Sequence, residues 1–215
     1  MLPLIIHTAA LAVPAGVRLS GGNIQYRDPN GNVRQLTQGG NFTDPVLSSD
    51  GHTIAFIHLD GRPAEEGEAG FTSLWIADAV NGTQRRLLAS HPNDEPSRNL
   101  ASFGSPRFSL DGGFIYIDAD AWTTSSAVHQ ISVTTGKERF VVAGNITAIM
   151  RTGPYRGYLL VSQHKYRQAP EFGSYEAISL IKPDGTPILV VPGSDGDDSA
   201  AAQVAWLNSN GWRAW

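Results

Sequence analysis

Pro106-Arg107-Phe108-Ser109-Leu110-Asp111-Gly112 is one copy of a seven-residue phrase that also stands at Pro45-Val46-Leu47-Ser48-Ser49-Asp50-Gly51 and, worn, at Ala205-Trp206-Leu207-Asn208-Ser209-Asn210-Gly211. Each copy reads as a short strand and a tight Asp-Gly or Asn-Gly turn whose glycine tolerates positive φ, followed by a second alternating strand. Thr53-Ile54-Ala55-Phe56-Ile57 and Phe114-Ile115-Tyr116-Ile117 are such second strands. A hairpin repeated along a chain constrains architecture before any site is considered.

A second hairpin alternates with the first. Ile24-Gln25-Tyr26-Arg27 turns at Asn30-Gly31 into Val33-Arg34-Gln35-Leu36-Thr37, and Leu74-Trp75-Ile76-Ala77 turns at Asn81-Gly82 into Gln84-Arg85-Arg86-Leu87-Leu88. Val128-His129-Gln130-Ile131 follows with Gly136 and Arg139-Phe140-Val141, then Ala177-Ile178-Ser179-Leu180 with Asp184-Gly185 and Ile188-Leu189-Val190. The four turn glycines stand 51, 54 and 49 residues apart, close to the length of a four-stranded propeller blade with extended loops.

With the phrase hairpin labelled AB and the other CD, the order is CD, AB-CD, AB-CD, AB-CD, AB, counting a degenerate AB hairpin around Ile149-Met150-Arg151 and Tyr158-Leu159-Leu160-Val161. This predicts an all-β fold, a β-propeller of four blades of four antiparallel strands. Its first blade (21–37 plus 203–215) is expected to close by pairing of the N- and C-terminal hairpins, which would remove two exposed sheet edges. The remaining blades are expected at 44–88, 103–142 and 144–191 within a single domain, 1–215. The alternatives are a five-bladed ring, with strands supplied by residues 1–20 such as Gly16-Val17-Arg18-Leu19-Ser20, or a fragment of a larger propeller.

The phrase Pro-x-aromatic-Ser-x-Asp-Gly, the Ile-Ala-Phe after its first copy and the preceding Arg34-Gln35-Leu36-Thr37 resemble the TolB-like β-propeller repeat, which also occurs in the propellers of prolyl oligopeptidase relatives. The resemblance covers residues 22–143 best. It implies a propeller, usually periplasmic or extracellular, that binds another protein or shields an enzyme; four blades would depart from the family's usual six or more. The phrase residues are structural on this reading, with Ser and Asp bonding the turn backbone and Gly supplying its geometry.

Composition fits. The 215 residues are 41% hydrophobic and 17% charged, and 23 glycines against two methionines suit short strands and turns better than helices. A formal charge of −4 is the wrong sign for a nucleic-acid surface. The absence of cysteine excludes disulfides, thiolate zinc sites and thiol catalysis. No apolar run reaches the length of a transmembrane segment. The apolar start, Met1 to Gly16, is like the back of a secretory signal but carries no Lys or Arg in front; it is read as the first segment of a mature chain, with a trimmed signal as the alternative.

In a propeller blade the AB and CD turns lie on one face, and the BC and DA connections on the other. Here the AB and CD turns are tight and the elaboration falls on the opposite face, in 59–70 and 163–174 (BC) and 90–100 and 192–199 (DA). Long loops on a rigid scaffold are where binding residues concentrate. The candidate binding residues are Glu65, Glu66, Glu68, Asp94, Glu95, Asp118, Asp120, Asp195, Asp197 and Asp198, with Trp122, Tyr166 and Phe172 as aromatic anchors. An acidic face of this kind favours encounter with a basic protein or peptide. Asp195-Gly196-Asp197-Asp198 is a weak calcium candidate, lacking the spacing and distal Glu of a calcium loop.

Catalytic constellations are missing from the sequence: no Gly-x-Ser-x-Gly, no His-Glu-x-x-His, no Gly-x-x-x-x-Gly-Lys, no Gly-x-Gly-x-x-Gly after a strand. No catalytic or metal-ligating set and no required cofactor is therefore assigned. His52 and His129 read as outward-facing or turn positions, while His58, His91 and His164 fall near the long-loop face. The favoured reading is a noncatalytic propeller binding a protein or peptide. The alternatives are an enzyme or glycan-binding propeller built on Asp118 and Asp120 or on calcium, and a propeller subdomain of a peptidase.

Overall fold

The phrase folds as its turn chemistry dictates. Ser48 Oγ donates to Asp50 Oδ1 at 2.6 Å and accepts the Thr53 N–H at 2.9 Å, while the same Asp50 oxygen takes the His52 N–H at 3.0 Å. Ser109 and Asp111 repeat the pattern, with Gly113 and Phe114 as the donors to them. Gly51 and Gly112 sit at φ +77° and +72°, the left-handed region that a side chain disfavours.

This computed structural model describes residues 14–61, 70–122, 125–196 and 198–215. Among them, the strands form four antiparallel sheets with neighbours in chain order. The first sheet holds β1 (Gly16–Ser20), β2 (Asn23–Arg27) and β3 (Val33–Gln35). The second holds β4 (Phe42–Leu47), β5 (Thr53–Gly61), β6 (Phe71–Asp78) and β7 (Gln84–Leu88). β8 (Phe103–Phe108), β9 (Phe114–Trp122), β10 (Ser125–Ser132) and β11 (Glu138–Ala143) make the third. β12 (Asn145–Ile149), β13 (Leu159–Tyr166), β14 (Ser174–Ile181) and β15 (Pro187–Val190) make the fourth. The chain is an all-β propeller. Gly16–Ser20, a candidate for an additional blade, pairs instead with β2 inside the first sheet.

Successive sheets pack face to face, each pair sharing one apolar cluster. Ile24, Ile54 and Phe56 lie between the first and second, Ala55, Ile57, Leu74 and Ile117 between the second and third, and Tyr116, Ile146 and Val161 between the third and fourth. Strands buried on both faces account for the unbroken run Ile54-Ala55-Phe56-Ile57.

A periodic arginine reinforces each interface. Arg34 on β3 donates to the carbonyls of Ala79 and Val80 in the second sheet's CD turn, at 2.8 and 3.0 Å. Arg85 on β7 donates to the carbonyl of Val133, and Arg139 on β11 to that of Pro183. Each outer strand thus clasps the CD turn of the next sheet. The turn glycines allow this approach: a Cβ on Gly136 would stand 2.7 Å from the Leu87 carbonyl oxygen. In β15 the corresponding residue is Ile188, and the series ends.

The expected closure of the ring is replaced by something else. The segment anticipated as a hairpin at Trp206–Trp215 is the helix α1 (Ser199–Ser209) with an extended tail. Three alanines in its first turn favour helix, and the Asp198 carboxylate caps it by accepting the Ala201 N–H at 2.8 Å. Gly211, at φ +65°, donates to Asn208 O while Trp212 N–H donates to Leu207 O, so this Asn-Gly ends a helix rather than turning a hairpin. The tail pairs with the fourth sheet: Ile149 and Trp215 exchange N–H···O bonds, and Arg151 N–H donates to Arg213 O at 2.7 Å.

Both end faces of the array are finished differently from the interior. On the fourth sheet, Met150, Leu160, Ile178 and Leu180 are covered by Trp206, Leu207 and Trp212. Tyr155 lies against both tryptophan rings, 6.5 Å from Trp206 and 5.4 Å from Trp212. On the first sheet, the positions matching Ile54, Phe56, Trp75 and Ala77 of the second are Gly16, Arg18, Gln25 and Arg27, with Arg18 bonded to Gln25 at 2.8 Å. No hydrogen bond joins the first and fourth sheets among the described residues.

Candidate functional site: the long-loop face

β5, β9 and β13 all run from an AB turn toward the BC ends, so the BC and DA connections share one face. Glu65, Glu66, Glu68 and Asp197 lie outside the described residues, as does the segment Met1–Val13. Asp94 is exposed in the connection between β7 and β8. Glu95 pairs with Arg98 at 3.0 Å and accepts from Ser97 Oγ at 2.8 Å. Asp120 is exposed on β9, its carbonyl accepting from the Asn99 amide. The carbonyl of Asp195 takes a bond from Arg167 at 3.2 Å.

Asp118 points between sheets. Its Oδ1 accepts the Ile146 N–H at 3.0 Å, linking the third sheet to the fourth, while its Oδ2 meets Arg107 of the neighbouring strand β8 at 3.3 Å. Burial pushes its carboxyl above the usual carboxylate range, against the pull of the Ile146 N–H and Arg107. Both Asp118 oxygens are thus engaged, one across to the fourth sheet and one within its own, while Asp120 is exposed on the same strand.

The aromatic anchors do reach solvent. Trp122 ends β9 at 40% exposure, Tyr166 ends β13 at 68%, and Phe172 in the following loop is 71% exposed. They belong to two adjacent sheets and lie at the same end of them. The Tyr166 ring stands edge-on to His164, 5.1 Å between centroids, and Arg167 lies over the Tyr175 ring at 4.7 Å. The loop carrying Phe172 is therefore tethered from below while its aromatic rings stay out.

Residue-by-residue inspection of the histidines misses three His–carboxylate pairs. His58 meets Asp60 at 2.5 Å, His129 meets Glu138 at 2.5 Å, and His164 meets Glu176 at 2.8 Å. The first pair shares one face of β5 at i, i+2, while strand register is the signal for the others: His164 stands directly opposite Glu176. His129, expected outward-facing or in a turn, is fully buried. Asp60 also accepts from Ser73 Oγ, which takes the Trp75 indole N–H. The hydroxyl thus bonds the carboxylate and not the imidazole, which is not the order nucleophile, base, orienter of a hydrolytic triad. Among the described residues no three His, Asp or Glu side chains converge as a metal site, and no helix is long and apolar enough to cross a membrane.

Fold and site together define a β-propeller scaffold, the fold that the TolB-like phrase implies. No protein-family model matches the sequence, and no curated protein is recognisably similar to it. Solved structures carry the likeness. Porphyromonas gingivalis dipeptidyl peptidase 4 superposes with a TM-score of 0.59 at 10% identity, over 83% of this chain and 31% of that one. The tricorn protease gives 0.56 at 16% identity over 82% and 15% of the two chains. The β-propeller domain of the Pyrococcus furiosus trilobed protease, described as having an open velcro topology, gives 0.50 at 15% over 77% and 47%. The chain spans less than half the length of each of these proteins.

Proposed function

We propose that the chain is a noncatalytic propeller scaffold that docks a protein or peptide partner on its long-loop face. The observation that supports this is the set of exposed rings, Trp122, Tyr166 and Phe172, at the same end of two adjacent sheets. Exposed aromatics on tethered loops are the residue type that anchors interfaces. Asp94 and Asp120, with Glu65, Glu66 and Glu68 in the sequence, bias that face toward a basic partner. An extracytoplasmic setting accords with the TolB-like repeat. The peptidase neighbours support a second reading, a propeller portion that works beside a catalytic domain.

Crosslinking and pull-down with the Trp122→Ala, Tyr166→Ala, Phe172→Ala triple variant test the proposal. Partners captured by the wild type should be lost. Equal capture by the triple variant, with loss on altering the Asn30-Gly31 or Asn81-Gly82 turns of the opposite face, would overturn it. In the second reading, an associated catalytic domain is recovered with the chain regardless of the aromatic substitutions.

A further inference from the structure

A groove of about 590 Å³ lies where the β7–β8 connection passes over the outer strand of the third sheet. Its floor is apolar, from Leu88, Leu100 and Phe140. One wall, on β11, presents Glu138; the other, on the connection, presents Arg98. The connection is held in place beforehand: His91 and Leu100 exchange backbone bonds, Asn99 accepts the N–H groups of Asn93 and Ala101, and Ser90 Oγ donates to Ala101 O. A wall fixed by its own bonds suits a preformed small-molecule site, and the volume is in the range such sites occupy.

Both charged groups keep free valence. Glu138 uses Oε1 to meet buried His129, while its Oε2 has no partner among the described residues. Arg98 uses Nε on Glu95, leaving its terminal nitrogens unbonded among the described residues, at 72% side-chain exposure. The repeat does not demand the His–Glu pair. At the position of His129 the other sheets carry Gln25, Trp75 and Ser179, and at that of Glu138 the second sheet carries Gln84, which bonds the Leu36 carbonyl of the preceding sheet. His129 Nε2 is buried with no partner among the described residues. The Phe140 ring lies edge-on over it, 5.8 Å between centroids.

We propose that this groove binds a small zwitterion with an apolar body, an apolar α-amino acid or its dipeptide, taking the ammonium on Glu138, the carboxylate on Arg98, and the side chain over Leu88, Leu100 and Phe140. Charge-assisted bonds to both ends give the selectivity; the floor gives the apolar contact. This site is independent of the exposed rings on the long-loop face.

Calorimetric titration with L-leucine, N-acetyl-L-leucine and L-leucinamide tests it. Leucine should bind saturably, and each blocked analogue should bind at least about tenfold more weakly. Glu138→Gln should weaken leucine about tenfold and leave the already weak N-acetyl-leucine unchanged. Arg98→Gln should weaken leucine and leave leucinamide unchanged. Arg98 is exposed, so its variant keeps the fold and decides the matter even where Glu138→Gln unfolds over buried His129. Absence of saturable leucine binding, or equal binding of all three compounds, overturns the proposal.

Discussion

Arg139 reaches from the outer strand of one sheet to the carbonyl of Pro183 in the turn of the next, and Arg85 and Arg34 make the same reach one and two sheets earlier. The clasp always runs from the outer strand to the following turn, so the interfaces share one direction. Sequence spacing alone gives a repeat; this side chain couples its units.

Removing one clasp should loosen one interface. Arg85→Ala and Arg139→Ala should each destabilise by about 1–3 kcal/mol, the range for hydrogen bonds from charged groups. Ile188→Arg, at the end of the series, should change stability by less than about 0.5 kcal/mol. Urea unfolding of the three variants checks this; equal effects at all three positions would show that the clasp carries no inter-sheet energy.

The AB-turn glycines test backbone strain in isolation. A Cβ at Gly51 or Gly112 meets nothing within 4 Å, so Gly51→Val and Gly112→Val should each lose about 1–3 kcal/mol through positive φ alone. Gly136→Ala should lose more than Gly112→Ala, because strain there is joined by the close approach to Leu87. Thermal unfolding provides the comparison.

Truncation at residue 202 removes Trp206, Leu207 and Trp212 from the outer face of the fourth sheet. The shortened chain should melt lower and self-associate through the uncovered Met150, Leu160, Ile178 and Leu180. A monomer with native melting temperature on analytical gel filtration would show that the helix contributes no cover.

Acid should destabilise the fold through its turn aspartates. The Ser48 hydroxyl holds Asp50, and the Ser109 hydroxyl holds Asp111, below the usual carboxylate range, aided by backbone N–H donors. A depressed folded-state pKa contributes stability that is present above the unfolded carboxylate value, about 3.9, and lost as pH falls through the folded one. Buried Asp118 has the opposite sign, since its raised pKa makes stability rise as pH falls through the folded value. Melting temperature should therefore drop between about pH 4 and pH 2, with a shallower drop in Asp111→Asn, whereas Asp118→Asn should remove the gain in stability that Asp118 contributes on acidification above about pH 4.

The sheets were legible because period and turn chemistry agreed: Ser-x-Asp-Gly specifies its own hairpin, and Val-Ile-rich runs between such turns have nowhere to go but a two-sided core. The terminal segment was not. Asn210-Gly211 supplies one left-handed glycine, which a hairpin turn and a helix C-terminus use equally well, and only Asp198 and the alanines ahead of it distinguish the two. Trp122 and Tyr166, read as loop residues, end the strands β9 and β13, and Asp118 was not recognisable as an inter-sheet link. Arg107 lies on the other strand of the same hairpin, but Ile146 belongs to the next sheet, and no local pattern announces a bond to another sheet's N–H. The His–Glu pair of the third sheet was hidden likewise, since it requires strand register and not merely strand identity.

The polar finish on the first sheet and the helix on the fourth have a mechanical consequence. In a ring, each sheet is clamped from both sides and the last interface cancels the freedom left by the others. Here the described residues put three interfaces in series with no fourth to oppose them, so small rotations at each accumulate across the array. A bound body that touched both the first and the last of these sheets would oppose rotation at all three interfaces at once.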